Sequence, residues 1–122
     1  MLANELLKEH KEYLDIYRRE RERLLKISKV SSRVKNKLKY HKSCIENIER
    51  NFDEINKLEK YKYYTIEVSY GYCCKHKAIM WTNWNPSSVI IFESSYEEKF
   101  KEIHIENIHY FKILRELKEI NY

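Results

Sequence analysis

The sequence predicts an α+β protein: an N-terminal antiparallel helical hairpin (a coiled coil) packed on, or extending from, a small antiparallel β-barrel or β-sheet. Three observations predict it. Up to residue 60, apolar side chains recur in alternating steps of four and three, the seam of paired helices. From Tyr61 the period changes to two, in segments rich in β-branched and aromatic residues. Gly71 is the only glycine and Pro86 the only proline, which excludes a chain disordered by Gly/Pro enrichment.

The first helix is expected over residues 4–28, where Leu6, His10, Tyr13, Tyr17, Glu20, Leu24 and Ile27 form the seam. The second is expected over 32–60, with Val34, Leu38, His41, Ile45, Ile48, Phe52, Ile55 and Glu59. Ser31 or Ser32 can cap it, because a hydroxyl there accepts from a backbone N–H that lacks a helical partner. The short linker turns the helices back on each other. The expected register sets Leu24 against Leu38, Tyr17 against Ile45, Tyr13 against Ile48 and Leu6 against Ile55. Glu20 would then meet His41, a polar layer of the kind that fixes register at some cost in stability. His10 would lie opposite Phe52.

Residues 64–70 alternate and predict a strand, ended by Gly71 at a turn or bulge. A second strand is expected near 76–82. Residues 83–88, with Asn85-Pro86, form a turn, and Val89 to Phe92 an apolar strand. Phe100 to Ile105 alternates again. The segment from Asn107 to Ile120 fits strand or helix; strand to about residue 113 and then a short helical tail is the favoured reading. The organisation is thus residues 1–60, a basic helical hairpin, and 61–122, a β module, expected to fold as one unit.

A chain of 122 residues can bury roughly two thirds of its unfolded surface, enough to fold without metal or disulfide. Charge appears too early after Met1 for a secretion signal, and no apolar run approaches the ~20 residues that span a bilayer. Cys44, Cys73 and Cys74 are an odd count, as expected of reduced thiols in a cytoplasmic protein.

Several segments of the β half carry a family resemblance: Tyr63-Tyr64-Thr65-Ile66, Ala78-Ile79-Met80-Trp81, Asn85-Pro86, Val89-Ile90-Ile91-Phe92, and Ile103 to Ile108. Over residues 60–114 the chain resembles the small Sm-like β-barrel of YolD-like proteins, in which a helix leads into a Tyr-rich strand. It departs from them in lacking a glycine immediately before the second strand and in its long helical hairpin. The resemblance implies a fold and brings no active site with it.

Charge is the most informative functional feature. Arg18, Arg19, Arg21, Arg23, Lys26, Lys29, Arg33, Lys35, Lys37, Lys39 and Lys42 are opposed between residues 18 and 42 only by Glu20 and Glu22, a local charge of +9 in a chain of +5. The hairpin places this charge at its tip and leaves the remainder mildly acidic. Concentrated positive charge attracts phosphate backbones by counterion release, without reading sequence. A solvated helix face is the plainer explanation of a Lys-rich helix, but it ordinarily comes with compensating Glu, and residues 23–45 have none.

Other constellations are weaker. His41, Cys44, Cys73, Cys74 and His76 are two His and three Cys, but their spacing suits zinc poorly. One glycine excludes a P-loop and a dinucleotide turn, and no Gly-x-Ser-x-Gly elbow exists. His104 and His109 lie near Glu102 and Glu106 without a nucleophile. Trp84, in a polar turn, is placed to stack on a base or anchor an interface, unless it packs over the end of the β module. The sequence therefore predicts a non-enzymatic module without cofactor or metal, whose basic tip contacts nucleic acid or a nucleic-acid-bound protein. The alternative is a phage or mobile-element inhibitor of a host defence protein, of the anti-CRISPR kind. Apolar seam edges left exposed would also support a homodimer.

Overall fold

The computed structural model describes residues 2–26, 32–71, 74–82, 88–93 and 100–117. Helices α1 (Leu2–Lys26), α2 (Ser32–Arg50) and α3 (Phe52–Lys57) are followed by strands β1 (Tyr63–Ser69), β2 (His76–Thr82), β3 (Ser88–Glu93) and β4 (Phe100–His104). A 3-10 turn, η1 (Ile105–Asn107), leads into the last strand, β5 (Tyr110–Leu117).

All strand pairs are antiparallel, in the order β4-β3-β2-β1-β5. Of the two forms expected, barrel or sheet, the chain forms the open sheet: no ladder joins β4 to β5 among the described residues. It is not flat, however. β4 and β5 form opposite edges, yet only residues 105–109 connect them, three of these in η1. A flat five-stranded sheet is about 19 Å across at ~4.8 Å per strand. A connection this short, partly wound into a 3-10 turn of ~2 Å rise per residue, cannot bridge that width. The sheet therefore curls out of a single plane.

One face of the curled sheet holds the core. Tyr64, Ile66 and Val68 of β1, Ala78 and Met80 of β2, Val89 and Ile91 of β3, and Phe111 of β5 are buried with Ile105 and Ile108. Alternation explains the choice, since every second side chain of a strand points to the same face. Helical cover comes from Ala3, Leu6, Ile48 and Ile55. Leu14 and Val34 are also buried but lie outside that cluster, so α1 and α2 continue beyond the sheet. Along α1, Ala3 N–H donates to Asn56 of α3, and His10, Tyr13 and Tyr17 meet His41 of α2.

Three expectations are corrected. The helix read as 32–60 breaks at Asn51. The buried Asn51 side chain accepts from Phe111 N–H at 3.1 Å and donates to the carbonyl oxygens of Ile108 and His109, both at 3.2 Å. Next to it Glu54 accepts from Ile113 N–H at 2.8 Å. The helix break thus caps the free edge of β5, which would otherwise be a template for strand pairing. At the C-terminus, residues 114–117 continue β5 instead of starting a helical tail; 118–122 lie outside the described residues. A bulge between Thr65 and Ile66 in the β1–β5 register lets this long strand follow the curl. Finally, the helix register is shifted. His41, expected opposite Glu20, stacks instead on Tyr13 and Tyr17 and reaches His10. The N-terminal part of α1 is drawn to the sheet, where Ala3 and Leu6 join Ile48.

Candidate functional site

Arg18, Arg19, Arg21 and Arg23 project from the last turns of α1, and Arg33, Lys35, Lys37, Lys39 and Lys42 from the first turns of α2; all are exposed. Lys26 is the last residue of α1. Lys29 and Trp84 lie outside the described residues. A shallow groove of about 450 Å³, with Leu14 and Ile45 among its lining, brings Arg18 and Lys42 together across the two helices.

Little neutralises this charge internally. Arg18 pairs with Asp15 and Arg23 with Glu20, each at 3.8 Å and one turn apart on the same helix. Exposed pairs of this kind contribute about 0–1 kcal/mol. Among the described residues Arg19, Arg21, Lys35, Lys37, Lys39 and Lys42 have no ion-pair partner. The first turn of α2 holds no acidic residue, so the positive end of its dipole adds to the cationic field.

A second feature lies at the root of this surface. His10 of α1 and His41 of α2 are buried, with their Nδ1 atoms 2.9 Å apart. Behind His10, the buried Glu106 of η1 places Oε1 at 3.9 Å from His10 Nε2 and at 3.9 Å from Nδ1 of the exposed His104. Its other oxygen, Oε2, has no hydrogen-bond partner among the described residues. Tyr13 and Tyr17, one helical turn apart, stack nearly parallel to the His41 ring at 5.0 and 5.7 Å. Asn107 accepts from Tyr40 Oη at 3.2 Å and from Cys44 Sγ at 3.7 Å, and Asn47 donates to the Glu106 carbonyl at 2.9 Å. Polar contacts thus lock α2 onto η1.

The environment sets the chemistry. Burial, then the neighbouring His10 and Lys37, hold His41 below the ordinary histidine pKa. Burial pushes the Cys44 thiol up to about 11; a hydrogen bond with Tyr40 pulls it down and the Glu106 charge pushes it further up. Cys44 is therefore a thiol at neutral pH and a poor nucleophile. Burial also raises Tyr40, as does its bond to Cys44. Of the residues weighed for zinc, His41 turns to His10 and Cys44 to Asn107, so these two do not converge; Cys73 lies outside the described residues. Among the described residues no three His, Cys, Asp or Glu side chains group as metal ligands. Of the His and Glu residues near 102–109, His104 meets Glu106, whereas Glu102 accepts from Ser88 and His109 contacts Arg50.

The sequence signals only part of this cluster. His10 and His41 both fall on the predicted seams, but their meeting depends on the register, and nothing local marks Glu106 as buried. Among the described residues no helix is long and apolar enough to cross a membrane. The chain matches no family model, no curated protein and no solved structure.

Proposed function

We propose that this protein is a non-enzymatic binding module whose hairpin tip, formed by the end of α1 and the start of α2, contacts the phosphate backbone of nucleic acid or a protein bound to it. One observation carries the reading: Arg19, Arg21, Lys35, Lys37, Lys39 and Lys42 are exposed on two adjoining helices without an ion-pair partner among the described residues. Such a surface gains free energy by releasing condensed counterions from a polyanion. The β module serves as the platform that holds the helices. The resemblance to Sm-like and YolD-like modules belongs to this reading, and rests on the helical lead and five antiparallel strands, in a sheet that is open where theirs closes into a barrel. A mobility-shift titration with short DNA and RNA duplexes and single strands, at two salt concentrations, tests it. Binding at low salt that weakens steeply at higher salt is expected. Absence of any shift at low salt would redirect the surface to an acidic protein partner, as in the inhibitor reading.

A further inference from the structure

We infer that His10, His41 and Glu106 form a clasp that holds one proton but not two, and that acid opens α1 from α2 by adding the second. The geometry comes first. His10 uses both ring nitrogens, Nδ1 toward His41 Nδ1 at 2.9 Å and Nε2 toward Glu106 Oε1 at 3.9 Å. At 2.9 Å, one of the two Nδ1 atoms must carry the hydrogen and the other the lone pair. One proton shared by the histidines satisfies every contact. With the hydrogen on His41 Nδ1, His10 accepts it at its own Nδ1 and turns Nε2–H toward Glu106, whose second oxygen is buried without a hydrogen-bond partner among the described residues.

A second proton has no place. With both rings charged, two N–H groups would point at each other and two like charges would touch in a buried site. The groups around His41 do not relieve this. On α1 the faces of Tyr13 and Tyr17 stack against it; on α2 Lys37 adds a further positive charge and Tyr40 presents a ring edge. Cys44 is a neutral thiol. Glu106, on η1, sits behind His10, with His104 competing for the same oxygen. The depressed affinity of His41 for protons fits this arrangement. A doubly charged clasp is relieved only when the rings separate, and because each sits on its own helix, the helices separate there.

Hydrogen exchange of the full chain, corrected for intrinsic rates, between pH 8 and pH 5 tests the inference. Amides of residues 10–17 and 38–44 are expected to exchange at least about tenfold faster at pH 5 through local opening, while β1–β3 amides change little. His41→Phe keeps a stackable ring and cannot take a proton, so it should abolish the pH dependence. Should that variant not fold, His10→Gln removes one titrating ring and should do the same. Equal protection of both helical segments across the range, or an unchanged pH response in the variant that folds, would overturn the clasp.

Discussion

His10 and His41 present the same ring atom to each other, Nδ1 to Nδ1 at 2.9 Å, across two helices that converge on η1. This contact has a thermodynamic consequence for the whole chain. His41 binds its proton less readily folded than unfolded. Its contribution to stability is therefore fully present above the unfolded histidine value of about 6.5 and is lost as pH falls through and below it. The urea midpoint should accordingly decline between pH 7 and pH 5 in the natural chain. His41→Phe should show a shallower decline over the same window. Parallel curves for the two proteins would remove His41 from the account.

Asn51 is predicted to matter more than its type suggests. Its side chain satisfies Phe111 N–H and the Ile108 carbonyl, and shares the His109 carbonyl with Arg50, where the helix breaks over β5. Asn51→Ala should destabilise by about 2–3 kcal/mol, the cost of stranding a buried donor together with an acceptor. Loss of cover on the β5 edge should also raise aggregation on mild heating. Equilibrium unfolding and light scattering measure the two effects; a change in midpoint within error would show that water replaces the amide.

Core position and helix face should separate cleanly. Ile48 is fully buried between α1 and the sheet, and Ile48→Ala should cost about 2–4 kcal/mol. Ile16, half exposed on α1, should tolerate Ala within about 0.5 kcal/mol. Comparable losses at both sites would mean that Ile16 is covered in solution, as in the homodimer the sequence raised.

How far these features were legible follows from the range of the forces involved. Periodicity reports which face is apolar, so Val34, Ile48, Ile55 and the alternating residues of β1 were readable as core. It does not report which residue of another element lies opposite. The slipped register at His41 and the break at Asn51 both depend on contacts more than 30 residues away, with His10 and with Phe111. Cys44, fully buried on α2, was hidden for a different reason: a small thiol adds little to an apolar pattern. Residues 114–117 carry a helical spacing of Leu114 and Leu117, but pairing with β1 overrides it. The basic surface was the most legible, because exposed charge needs no partner to be placed.

Thiol labelling should distinguish the cysteines. Cys74 is exposed, while Cys44 is buried with its thiol raised to about 11. In the native state at pH 8, a thiol reagent should modify Cys74 quickly and leave Cys44 intact until urea unfolds the chain. Mass mapping of the labelled peptides reads the result, and rapid native modification of Cys44 would show that α2 detaches from η1.

The basic surface carries the functional prediction. Arg19, Arg23, Lys35 and Lys39 are exposed and lie on neither the sheet-facing core nor the histidine clasp. Reversing all four to Glu should leave the unfolding midpoint nearly unchanged and abolish the mobility shift. Single replacement of Lys39 by Ala should do less: it should weaken binding uniformly across unrelated sequences and reduce the magnitude of the slope of log K against log salt by about 0.7–0.9, the value for one phosphate contact. A contact that reads bases would behave differently, weakening some sequences far more than others. Retention of full affinity by the fourfold reversal, in a protein that still folds, would place the binding surface elsewhere on the molecule.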